Sequence, residues 1–251
     1  MEISITGAKI YFTIPIFGGI PITATIINAW LVMVLITGLC IWLTRGMQTH
    51  AKTKRQHIAE WIVETVTNWV TDNMGERYSR TSFTSFIAAL FALSIFSSLL
   101  GLFGLYPPTA DLSTTAGWSV MVFVMITYTK IRTNKVSGYL KGLTEPVPLL
   151  TPLNIISELS TPLSMAFRHF GNIASGQVVG ALIYAALLSL NHLIFGWLPG
   201  AAGKVLSTIP FTQVGIPGVL SLYFDLFSAF MQAFIFCMLT MNYISAAAET
   251  E

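Results

Sequence analysis

Arg168 stands in a long apolar stretch, 153–190, whose centre reads SELSTPLSMAFRHFGNIASGQVVG. Its guanidinium stays protonated at every relevant pH. A permanent cation in a membrane-spanning helix costs at least about 2.5–3.5 kcal/mol, so such residues are normally kept for an ion or substrate path. Ser157, Thr161, Ser164, Arg168, Asn172 and Ser175 recur at spacings of three and four, which aligns them on one helix face. Ser221, Asp225, Ser228 and Gln232 form a second such stripe nearer the C-terminus. Two facing polar stripes on antiparallel helices can make a hydrated path through lipid. Helix association through small and hydroxyl side chains accounts for the serines, but for neither Arg168 nor Asp225.

Depth along the helices orders these groups. With Arg168 level with Gln232, Glu158 lies ten residues toward one side, about 15 Å at helical rise, while Asp225 and Gln177 lie toward the other. A fixed cation between two acids does not suit a continuous cation wire, because Arg168 would repel the carried ion. It suits two separate half-channels, one from each side, insulated by Arg168. A structural ion pair between Arg168 and Asp225 is the plainer reading, and Glu158 can equally be an interfacial carboxylate near a helix end. Gln232 and Asn172 either position Arg168 by hydrogen bonds or join helices. His169 points about 100° away from Arg168 and is expected to pack in the core or at the lipid interface. Gln177, nine residues from Arg168, falls about half a turn off its face. Asp111, in PPTADLSTT, reads as a turn or helix-cap residue.

The elements that must carry these residues are membrane helices. The chain of 251 residues is 54% hydrophobic and 10% charged, with a mean hydropathy of +0.70. No ordinary soluble domain of that size could bury so much apolar surface. The fold expected is an all-α integral membrane protein, one membrane domain over 1–251, with five transmembrane helices at 22–44, 83–105, 112–131, 153–190 and 211–247. The first run is too long for a signal-peptide core and is read as a retained span. The last two exceed one crossing and are expected to form a long tilted or broken hairpin, with Pro162 a possible bend. Residues 56–74 form an amphipathic helix, with Ile58, Ile62, Val66, Trp69 and Val70 on one face, lying on the membrane surface or docked on other protein.

Arg45, Lys52, Lys54 and Arg55 follow the first span, and Lys130, Arg132, Lys135 and Lys141 the third. The positive-inside rule then places the N-terminus outside and the C-terminus, with Glu249 and Glu251, in the cytoplasm. Asp111 and Lys204 are the only charges in the two outer connections, 106–111 and 191–210, which agrees. A net charge of +2 with scattered basic residues does not suggest a nucleic-acid partner. Cys40 and Cys237 lie in apolar segments and read as small hydrophobic residues. Internal repeats, phosphate-binding loops, zinc spacings and nucleophile elbows are all missing from the sequence, so no cofactor, metal or covalent chemistry is expected of the chain.

Four stretches closely resemble subunit a of the F-type ATP synthase: LLGLFGLYPPTADLSTT, PLNIISELSTPLSMAFRHFGN, the short SGQ at 175–177, and MQAFIFCMLTMNYIS. The resemblance implies the static, itself non-catalytic ion-channel subunit of the membrane F0 sector. Its implied partners are a rotating ring of c subunits, b-type peripheral stalk subunits and, through the assembled complex, the F1 sector. Arg168 matches the family's essential arginine, Gln232 the glutamine beside it, and Asn172 the asparagine one turn on. Asp225 falls where the family usually has Glu or His in the outer access path. Some relatives carry Glu at the position of Gln177, so the amide here removes a titratable group. The implied cycle loads H⁺ or Na⁺ onto a ring carboxylate from outside past Asp225 and releases it past Arg168 toward Glu158. The implied location is a bacterial plasma membrane, with an organellar inner or thylakoid membrane as the alternative. A secondary transporter using Arg168 to hold an anion at the midplane is the rival reading. It predicts inverted repeats, which the sequence lacks.

Overall fold

The structure, a computed structural model, describes residues 8–15, 19–48, 53–76, 82–145, 147–195, 219–220 and 222–248. It begins with a two-stranded antiparallel hairpin, β1 (Ile10–Ile14) and β2 (Ile20–Thr23), in which Ile14 pairs with Ile20. The expectation had no strand here. Pro21 has no N–H to give to a helix that started earlier, and Gly19 at φ +95° turns the chain back, so the β-branched residues on either side pair instead. The hairpin leads straight into the first span, α1 (Ala24–Thr44), two residues later than expected.

Helix α2 (Lys54–Met74) starts at Thr53, whose side chain accepts from the Gln56 amide. Helix α3 (Ser82–Leu99) continues into a 3₁₀ turn, Leu100–Phe103, closed by Gly104 at φ +72°. Helix α4 (Leu112–Thr144) begins at Asp111, which caps the Ser113 amide at 2.9 Å as the sequence suggested. The expected end of this span, near 131, is not its end. The basic segment stays helical, broken only at Lys135 (φ 59°, ψ 169°), because nothing before Glu145 forbids helix. Glu145 is extended, as the residue before a proline prefers.

Helix α5 (Thr151–Phe195) is 45 residues long and runs through Pro162 without ending. At 1.5 Å per residue that is about 68 Å, more than twice the hydrocarbon thickness, so an unbroken α5 must lie steeply tilted. The chain's last described helix, α6 (Ser228–Ala248), follows a π-helical turn at Leu222–Phe227. The first part of the expected last span, 211–218, lies outside the described residues, as do Ser221, Lys204, Glu249 and Glu251. Among the described residues, five helical stretches are long and apolar enough to cross a membrane.

Helix α6 is the axis of the packing. Its Phe236, Cys237, Met241, Ile244 and Ala247 meet Val70 and Met74 of α2, Ile87 and Leu90 of α3, Val122 and Ile126 of α4, and Met165 of α5 in one cluster. Trp69 of α2 stacks on Phe234 at 5.3 Å and meets Phe91 edge-on at 5.5 Å. The docked reading of α2 holds for its second half. Val66, Trp69 and Val70 dock on protein, while Ile58, Trp61, Ile62 and Val63 remain exposed. Polar ties close one end of the bundle: Thr25 Oγ1 donates to Asp111 at 2.9 Å, and Asn28 Nδ2 donates to the Tyr106 carbonyl at 2.8 Å. Cys40 is exposed and Cys237 buried, and neither is in a disulfide.

Candidate functional site

The polar stripe of α5 is on its surface. Ser157, Ser164, Arg168, Asn172, Ser175 and Gln177 are exposed in the isolated chain, and Thr161 is half-buried. Arg168 has no described ion-pair partner, so the structural pair with Asp225 is not formed. The next residue explains how the guanidinium is held outward. His169 is fully buried, edge-on to Trp118 at 5.8 Å and Phe236 at 5.5 Å, with Nε2 3.3 Å from Ser94 Oγ. Because consecutive side chains diverge by about 100°, locking His169 into the core turns Arg168 to the flank. His169 is thus a core residue, the first of its two expected places.

Arg168 and Gln232 line one narrow cleft with Met165, His169, Ile235 and Phe236, and the cleft has no room for a water molecule. Gln232 itself is buried. Cavities open to either side of this closed level. Toward the C-terminal end of α5, Gln177 and Asp225 line a common cavity of about 210 Å³ with Gly176, Gly180, Tyr184 and Phe224. The π turn carries Asp225, half-buried, to that position. Gln177 is off the Arg168 face, as helix geometry required, yet the crossing of the two helices brings it to Asp225. Asn172 belongs to neither cavity and lies exposed one turn beyond Arg168.

Toward the other end, Glu158 lines a larger cavity of about 700 Å³ between α4, α5 and α6. Its carboxylate accepts from Lys130 Nζ at 2.9 Å. Local sequence builds this end too. Pro162 has no N–H to offer the Glu158 carbonyl one turn earlier, and its own carbonyl accepts from Ser119 of α4. Asn154 Nδ2 donates to the carbonyls of Leu143 and Glu145 at 2.9 Å, fastening the turn. Sequence reasoning placed Lys130 only as a topology marker. Simple counting from the turn does not find this pair, because Lys130 lies 14 residues before the end of α4 and Glu158 seven after the start of α5.

Among the described residues, five helices able to span a membrane, with an exposed arginine on α5 and an acid in each of two cavities, describe a multi-pass membrane protein. The ATP synthase A chain family matches residues 26–245. The chain belongs to this family, the ion-translocating subunit of the F0 sector of ATP synthases. It is 31% identical to ATP synthase subunit a, sodium ion specific, of Propionigenium modestum, over 91% of this chain and 75% of that one. It is similar to ATP synthase subunit a 1 of Chlorobaculum tepidum at 30% identity, covering 93% and 94% of the two chains. Against subunit a of Albidiferax ferrireducens the identity is 33%, over 92% and 89%. The protein is accordingly an integral membrane subunit of a larger complex.

Proposed function

We propose that the two cavities are the wet ends of offset half-channels for H⁺ or Na⁺, and that Arg168 insulates them. The observation that carries this reading is the position of Arg168 and Gln232 along the helices between two separate cavities large enough for water, one lined by Glu158 and the other by Asp225 and Gln177. An exposed guanidinium at mid-membrane needs an anionic partner in another chain, and a ring of c subunits bearing carboxylates supplies one. An ion enters past Asp225 and Gln177, neutralises a ring carboxylate, and lets that site rotate into lipid. An arriving loaded carboxylate meets Arg168, gives up its ion toward Glu158, and is held ionised as it passes. Asn172 and Gln232 offer amide hydrogen bonds to the guanidinium or to the passing carboxylate.

Arg168 also stops leakage: a cation crossing directly between the cavities must pass a fixed positive charge. The membrane potential supplies about 2.3 kcal/mol per charge per 100 mV, so rotation must pool several ions for each ATP. The chain does no bond chemistry itself. Stalk subunits of b type hold it against the ring and tie it to F1. The basic residues at the α1–α2 and α4–α5 connections put the Glu158 cavity on the cytoplasmic side of a bacterial plasma membrane.

The deciding test is ATP-driven acidification of vesicles carrying the assembled complex, wild type against Arg168→Ala, with a c-ring inhibitor as control. Pumping is expected to be lost and passive leakage to rise. Unchanged coupled pumping in a fully assembled Arg168→Ala complex would remove Arg168 from the ion path.

A further inference from the structure

The inner cavity contains an acid that already has its own cation. Lys130 Nζ lies 2.9 Å from Glu158 Oε1, with the Glu158 side chain 11% exposed and that of Lys130 36%. The pair is therefore shielded on the acid side and open to water on the amine side. Among the charged and titratable groups lining the cavity, Glu145 is paired separately, with Lys141 at 3.5 Å. Tyr139 stands with its ring centroid 6.0 Å from Lys130 Nζ, and Tyr243 of α6 completes the set. Arg132 and Lys135 lie further along α4 and do not line the cavity. Lys130 is thus the cation that meets Glu158.

A shielded carboxylate on an exit path presents a difficulty, because it would retain the ion it is meant to pass on. A lysine on a four-carbon stem is a competitor that cannot diffuse away, and it has water to retreat into when displaced. We infer that Lys130 is a tethered competitor for the Glu158 carboxylate, occupying it between ions and expelling each transported cation by re-forming the ion pair. For a proton, the bond to the ring carboxyl breaks and an O–H bond forms on Glu158 as the Lys130 contact opens. The proton then passes to cavity water, and the Lys130–Glu158 pair closes again. For an alkali cation the same exchange occurs without bond chemistry. The inference rests on the reading of Glu158 as the inner acid.

Such a competitor favours unloading into the inner cavity and opposes loading from it, so its removal acts oppositely on the two directions of transport. The experiment uses the assembled complex in proteoliposomes, as wild type, Lys130→Met, Lys130→Arg and Glu158→Gln, with subunit content checked on gels. The probes are protons and Na⁺, titrated separately on the side of the inner cavity. In Lys130→Met, the cation concentration that half-saturates ATP-driven pumping is expected to fall roughly tenfold, equivalent to about 1.4 kcal/mol. ATP synthesis under a fixed gradient slows by a similar factor, and Lys130→Arg restores the wild-type half-saturation. A mere brace between α4 and α5 would lower both directions together with half-saturation unmoved, and that outcome overturns the inference. Should Lys130→Met not assemble, Lys130→Gln carries the same readout. If Glu158→Gln impairs transport while the Lys130 variants shift nothing, the competitor role alone is lost. If Glu158→Gln transports normally, the inner acid falls and the inference with it.

Discussion

The outer cavity can be plugged by one substitution whose size is set by the structure. Gly180 lines it, and no atom lies within 4 Å of where a Cβ would stand. The cavity of about 210 Å³ has room for on the order of seven waters at roughly 30 Å³ each. Gly180→Leu adds four carbons, each close to a water in size, and so displaces roughly four of the seven. Gly180 lies twelve residues from Arg168 and three beyond Gln177 along α5, so the water lost is on the approach to Asp225. Ion transfer then has to desolvate the ion at the gap, and coupled transport is expected to fall roughly tenfold or more, the effect of about 1.4 kcal/mol on a barrier. Gly180→Ala displaces about one water and retains most activity, while gaining up to about 1 kcal/mol of helix propensity. The assay is ATP synthesis by the reconstituted complex under an imposed ion gradient, with passive flux and subunit content measured in parallel. A fully assembled Gly180→Leu complex that synthesises ATP at the wild-type rate would show that ions do not travel through this cavity.

Three further perturbations address the scaffold. Asp111→Ala removes the α4 cap and leaves the buried Thr25 hydroxyl without its acceptor; a loss of about 2–3 kcal/mol is expected, seen as a lower melting temperature in detergent, with Asp111→Asn close to wild type. Trp69→Ala removes the stack on Phe234 and the edge contact to Phe91, and about 2–4 kcal/mol with them; faster hydrogen exchange confined to 54–74 would register the release of α2. Thr127 Oγ1 is buried with no hydrogen-bond partner among the described residues, so Thr127→Val is expected to raise the melting temperature, by a change of up to about 1 kcal/mol; a marked drop would mean that the hydroxyl is satisfied by water.

Much of the helical plan was legible because a membrane forces it. Runs of about 20 apolar residues have few other ways to satisfy their backbone, and all five expected spans have helical counterparts. The Asp111 cap was legible from PPTADLSTT because capping is local. Ends and pairings were harder. The β hairpin hid in a segment whose apolar residues resemble the start of a span, and only Pro21 marked the boundary. The helix through Arg132 was read as a connection because charge was taken as a stop, whereas charged residues are good helix formers and the break falls at Lys135. Helix arithmetic set Gln177 off the Arg168 face correctly, but the cavity it shares with Asp225 depends on how α5 and α6 cross, which no local pattern encodes. The Lys130–Glu158 pair joins two helices across a turn, and no spacing within either helix encodes it.

The exposed flank of α5 also bears on how the complex is made. Arg168, Asn172, Ser164 and Ser175 face outward in the isolated chain, where the only neighbour before assembly is lipid. Each newly inserted copy therefore holds a guanidinium in an unfavourable setting, at a cost of at least about 2.5–3.5 kcal/mol. That cost is relieved only when a complementary surface arrives. The residue proposed to insulate the two half-channels thus also sets an energetic demand for assembly.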